Sequence, residues 1–184
     1  AFRRPVDESD IAFHLSLYEA ERKRGGSFDD AILYALRGAL ISPRFLFRVE
    51  PNGPLDDYAL ASRLSYFLWN SMPDAPLFEL AASGQLHDPA VLKAQVARML
   101  RDARSFDFAQ SFVEQWLRTR ELAQTTHPDP GLFPPWKDAE LQGDIRYQPV
   151  LFFREIIVNN LPLLDLIDSK WTIATRKLQK LYGL

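Results

Sequence analysis

Leu55-Asp56-Asp57-Tyr58-Ala59-Leu60-Ala61-Ser62-Arg63-Leu64-Ser65-Tyr66-Phe67-Leu68-Trp69 carries a helix signal over nearly its whole length. Leu60, Ala61, Leu64, Phe67 and Leu68 recur at helical spacing, Tyr66 and Trp69 widen the stripe, and Asp56 stands where an N-cap belongs. A helix that is apolar over most of its circumference sits at the centre of a fold. This helix is therefore expected to be buried, with the rest of the chain arranged around it.

Upstream, Asp7 is placed to cap a helix with Ile11, His14, Leu15 and Tyr18 on one face. The charged run Glu21-Arg22-Lys23-Arg24 and then Gly25-Gly26 end it. Ser27, with Asp30 three residues later, resembles a capping box with an acid in place of the usual Glu. It opens a second helix with Ile32, Leu33, Leu36 and Leu40 on one side. Ser42-Pro43 ends or kinks that helix, and Phe45-Leu46-Phe47 follows as a short apolar segment. Pro51-Asn52-Gly53-Pro54 reads as a turn. Residues 1–50 are accordingly expected to form an N-terminal helical unit, and residues 55–184 the main bundle.

Downstream, Asp74 and Gly84 bracket a short helix through Leu77, Leu80 and Ala81. Asp88-Pro89 is an N-cap followed by Pro at the first helical position, and Ser105 is placed to cap the next helix, whose stripe is Ala109, Phe112, Val113, Trp116 and Leu117. Residues 120–135 form the one long loop. A long helical region then runs to about Val158, interrupted at Gly143 and Pro149, where Pro149 either kinks it or starts a new helix. Thr175 is placed to cap a last helix ending at Gly183. No run alternates with period two for long enough to predict a strand. The expected fold is all-α, an irregular multi-helix bundle with a short N-terminal helical pair.

The composition is that of a globular chain long enough to bury a core: 184 residues, 47% hydrophobic and 25% charged. A formal net charge of -2 does not favour nucleic-acid binding, which needs a basic surface. With no cysteine, the segment has no disulfide, no thiolate metal site, no iron–sulfur cluster and no covalently attached haem. No apolar run approaches the ~20 residues of a membrane span. The chain reads as part of a longer polypeptide, and its own residues give no localisation.

Two groups of residues carry a resemblance. Ala1-Phe2-Arg3-Arg4-Pro5-Val6 and Ser42-Pro43-Arg44-Phe45-Leu46-Phe47-Arg48 look like one small family of unknown function. Leu55-Asp56-Asp57-Tyr58, Ala61 to Trp69, Ser71-Met72-Pro73-Asp74, Gln115-Trp116-Leu117 and Leu181-Tyr182-Gly183 resemble its usual neighbour. Together the two span nearly the whole chain. Both are similar to parts of large exported proteins of planctomycetes and related bacteria, which often carry a c-type cytochrome domain and sometimes carbohydrate-binding-like domains. The resemblance implies an exported or periplasmic setting and other domains of the same polypeptide as partners, a cytochrome among them. It carries no activity onto any residue. Tyr147-Gln148-Pro149-Val150 departs from the acidic residues that the resemblance leads one to expect there.

No catalytic motif stands out. His14, His87 and His127 include no pair at i, i+4, so no zinc-protease pattern exists and no metal or cofactor is expected. His14 reads as a satisfied core histidine. Asp29/Asp30 and Asp56/Asp57 fall at helix starts, where capping explains them, and only Asp165/Asp168 could share a face as a catalytic pair. Arg63 is the most unusual residue, a guanidinium within the most apolar helix that must reach water or meet a carboxylate. Arg44, Arg48 and Glu50 flank the Phe45-Leu46-Phe47 segment and could join it. That cluster is read either as a buried ionic network or as an anion site in an enzyme of redox or polysaccharide processing. Trp69 and Trp116 are expected on core faces. Trp136, between Pro135 and Lys137, is expected to be exposed, where it could stack on a glycan. Two readings of function stand: a non-catalytic interaction module positioning neighbouring domains, or part of an enzyme with a charged site around Arg63.

Overall fold

The computed structural model describes residues 2–47 and 53–184. Among these the chain is all-α, with nine α-helices and no strand. It divides into two compact units, one of Ala1–Arg63 and Met72–Asp88, the other of Leu64–Ser71 and Pro89–Leu184.

The first unit contains α1 (Glu8–Lys23), α2 (Phe28–Leu40), α3 (Pro43–Leu46), the start of α4 (Asp57–Trp69) and α5 (Ala75–Ala82). Both leading caps form as reciprocal boxes: Asp7 with Asp10, and Ser27 with Asp30. An acid at the third helical position thus does the work of the usual Glu. Gly25, at φ +91°, adopts the left-handed backbone that ends α1. At Gly38 the two helices close tightly, since a Cβ there would lie 2.3 Å from Leu17 Cδ1. Pro43 does more than end α2. With Ser42 as its cap it starts the one-turn helix α3.

The second unit contains the rest of α4, then α6 (Pro89–Arg101), α7 (Ser105–Trp116), α8 (Ala139–Asn159) and α9 (Arg176–Tyr182). Its core is Ala109 and Val113 of α7 against Val150 and Phe153 of α8, with Phe106, Phe108, Ile157 and Leu166 packed around them. Gly143 and Pro149 do not interrupt α8, which runs through both as one 21-residue helix. Ser105 does not cap α7. Its hydroxyl donates back to the carbonyls of Leu100 (2.7 Å) and Asp102 (2.8 Å), tying off the end of α6. α9 is held by buried Leu178 and by polar tethers to α8 and its cap. Lys177 reaches Asp138 and Glu140, both at 2.6 Å, Thr175 donates to Asp144, and Tyr182 donates to Gln148.

α4 is buried at Ala61, Leu68 and Trp69 of its apolar stripe, with Ser62 and Ser65 also turned inward, whereas Phe67 is 64% exposed. Two aromatic expectations fail in opposite directions. Trp116, the last residue of α7, is 53% exposed although its spacing puts it on the side of Ala109 and Val113. Trp136 is only 4% exposed. The 3-10 turn Pro134–Lys137 carries it inward just before α8, where Gln142 donates to its carbonyl oxygen at 2.6 Å.

Candidate functional site

Each unit holds a buried carboxylate to which arginines from distant parts of its sequence converge. In the first unit that carboxylate is Asp10. Its place in the capping box points it inward, and Asp7 N–H donates to it at 3.2 Å. Arg4 pairs with one oxygen at 2.8 Å and Arg44 with the other. Burial works against the charge of Asp10, but the Asp7 amide and the two guanidiniums outweigh it and hold the carboxyl below its ordinary range. Arg3 donates to the carbonyl of Phe45 at 2.8 Å, so three arginines link the first residues to the α1 and α3 region.

The Arg44 of the expected cluster is therefore committed to Asp10. Arg63 is exposed on α4. Arg48 and Glu50 lie outside the described residues. Sequence reasoning missed Asp10 as the centre because it also reads as an ordinary cap residue.

In the second unit the carboxylate is Glu114, 3% exposed on α7. Arg146 of α8 donates to its Oε1 from Nε (3.0 Å) and Nη2 (2.7 Å), Gln110 donates at 3.0 Å, and Arg120 approaches Oε2 at 3.3 Å. Desolvation pushes this carboxyl up, but Gln110, Arg146 and Arg120 together bring it below its ordinary value. A general acid needs the opposite shift. The only sequence signal was an acid inside an apolar helical stripe, between Val113 and Trp116.

Several other titratable groups make structural contacts. Asp57 accepts from Leu86 N–H at 2.8 Å and lies 2.5 Å from His87 Nδ1. Asp165 accepts from Trp171 Nε1 at 3.2 Å, so it serves a packing contact. Asp102 binds Arg104 through both oxygens, which together with the Arg104 amide brings its pKa down to about 2. That pair sets the Arg104 guanidinium over Trp69, with Cζ 3.5 Å from the ring centroid, while Trp69 Nε1 donates to Met99 at 2.9 Å. His14 is only half satisfied. Its Nδ1 is 2.6 Å from the Asp10 carbonyl, and its Nε2 is shielded from solvent with no hydrogen-bond partner. Among the described residues no group of three or more His, Asp or Glu could hold a metal ion, and no helix is long and apolar enough to cross a membrane.

On the second unit, Phe67, Phe112 and Trp116 are exposed and in ring contact: Phe67 tilted against Phe108 (4.8 Å between centroids), Phe112 stacked on Phe153 (4.9 Å) and tilted against Trp116 (5.8 Å). Phe108, Phe112 and Trp116 stand at i, i+4, i+8 on α7, so they form one ridge.

No curated protein and no solved structure matches the chain. Residues 1–50 match the family described as protein of unknown function DUF1595. Residues 55–184, more than half the chain, match the one described as protein of unknown function DUF1592, and the chain belongs to that family.

Proposed function

We propose that this chain is a non-catalytic interaction module within a larger exported bacterial protein, where it positions a neighbouring domain. A c-type cytochrome or a glycan-binding module is the neighbour suggested by the resemblance. The observation that carries this reading is the exposed aromatic group of Phe67, Phe112 and Trp116. Large apolar side chains set against core rings and left open are the usual anchors of a protein contact. The chemistry of the charged groups supports it too. Asp10 and Glu114 are both bound by guanidiniums and both titrate low, an arrangement that suits bracing rather than proton transfer.

The test uses the longer polypeptide encoded by the reading frame around this segment. Acrylamide quenching of tryptophan emission is compared in that polypeptide and in the segment, each with and without Trp116→Phe. The Trp116 contribution should be open to quencher in the segment and shielded in the longer protein. Equal quenching in both would sink the reading.

A further inference from the structure

The groove of the α1–α2 hairpin has two unlike ends. It encloses about 540 Å³, with Ile11 and Leu15 of α1 and Ile32 and Ala35 of α2 along its sides. Tyr18 and Phe28 line one end, their rings edge to face at 6.0 Å between centroids. Val6 and Asp10 line the other. There the buried Asp10 carboxylate holds Arg4 on one oxygen and Arg44 on the other, so two guanidiniums share a single negative charge. Arg44 binds it through Nη1 and keeps a side chain that is 53% exposed, which leaves Nε and Nη2 for a second anion.

We propose that this groove binds a single anionic amphiphile, a medium-chain carboxylate, with its head group on Arg4 and Arg44 and its alkyl chain lying between α1 and α2 toward Tyr18 and Phe28. The proposal goes beyond the interaction-module reading and does not rest on it. It concerns the other unit, and its test makes no use of Trp116.

Size is the first argument. A standard protein interface buries about 800 Å² on each partner. Large apolar side chains carry ~150–200 Å² each, so the half-exposed Ile11, Leu15, Phe28 and Ile32 offer well under that area. Small-molecule sites enclose about 300–1,000 Å³, and this groove falls within that range. Asp10 and Tyr18 are eight residues apart on α1, a span of about 12 Å. A carboxylate of about ten carbons fits that length when extended.

The distribution of charge is the second. Asp10 is the lining's one carboxylate, and both arginines are one hydrogen bond from it, so the positive excess stands at a single end of the groove. His14 turns Nδ1 to the Asp10 carbonyl and has Nε2 closed off, so it adds a ring wall and no polar contact. A ligand that fits must therefore be apolar along its length and anionic at one tip. Guanidiniums take a carboxylate by parallel N–H donors, and the buried Asp10 already fixes where those donors stand.

The test is titration calorimetry of the intact protein with hexanoate, octanoate, decanoate, tetradecanoate and decanol, each below its micelle concentration. Affinity should rise about fourfold for each added methylene up to decanoate, the value of one buried CH₂, and level off by tetradecanoate. Decanol, which has the chain without the charge, should bind at least about tenfold more weakly than decanoate. Arg44→Gln should weaken decanoate by about tenfold and leave decanol unchanged. Ile32→Glu, at a half-exposed position, should remove binding of both with unchanged circular dichroism. If either variant fails to fold, the wild-type series decides alone. No binding of decanoate at about 1 mM, an affinity that ignores chain length, or decanol bound as tightly as decanoate would overturn the proposal. Undiminished decanoate binding in folded Arg44→Gln or Ile32→Glu would do the same. Binding to phosphatidylglycerol vesicles without binding of monomeric decanoate would assign this face to a membrane surface and overturn it as well.

Discussion

Glu114 and Arg146, 32 positions apart in sequence, meet through two hydrogen bonds from one guanidinium to one carboxylate oxygen, and this pair joins α7 to α8 beside the core. The carboxylate is almost wholly removed from water, so its stability depends on keeping both partners.

Glu114→Gln should therefore destabilise the protein by about 3 kcal/mol, because it leaves the Arg146 charge poorly matched beside an apolar core. Arg120→Ala removes a mostly exposed partner of the same carboxylate and should cost no more than ~1 kcal/mol. Urea denaturation of both variants checks this. Equal losses would mean that the Arg146 contact carries no special weight.

Acid should weaken the fold below about pH 4. Asp7 and Asp102 both titrate near 2 in the folded chain, against 3.8 for a free aspartate, the first held down mainly by the Ser9 hydroxyl and the second by the Arg104 guanidinium. As pH falls the unfolded chain takes up these protons first. Their stabilisation is complete above the unfolded value and is lost between about 3.8 and 2. Lys177, raised by Asp138 and Glu140, acts in the other direction, its contribution being present below 10.5 and lost as pH rises through its higher folded value. Denaturation midpoints measured from pH 2 to 7 should fall only at the acid end, and Asp102→Asn should flatten part of that fall.

Pro149 sits inside α8 without an N–H to offer the Ile145 carbonyl. Pro149→Ala restores that bond and removes the ring from a continuous helix, so it should raise stability by roughly 1–3 kcal/mol. An unchanged or lower melting temperature would show that the ring makes packing contacts worth as much as the bond.

Ser27 accepts from the Asp30 amide at 3.1 Å. Ser27→Ala should cost about 1 kcal/mol and Ser27→Asn almost nothing. Hydrogen exchange at the Asp30 amide gives the local readout, with faster exchange expected only in the alanine variant.

The caps at Asp7, Ser27 and Thr175 could all be read from sequence because a cap is settled within four residues. Burial could not be read in the same way. Ser62 and Ser65 lie on the inner face of α4 and Phe67 outside it, which depends on what packs there and not on the helix's own pattern. Trp136 is flanked by residues typical of an exposed loop, yet the turn at Pro134 folds it inward. The charged clusters were missed for a related reason. Asp10 finds Arg44 across 34 positions and Glu114 finds Arg146 across 32, and no local spacing encodes either meeting.

The attachment of α9 has a consequence for the order in which the chain comes apart. Apart from Leu178, the grip described above consists of ion pairs and hydroxyl contacts at the surface, which salt screens and water replaces at little cost. High ionic strength should loosen α9 while α7 and α8 stay folded, and trypsin would then cut at Arg176, Lys177 and Lys180 before it cuts within α7 or α8.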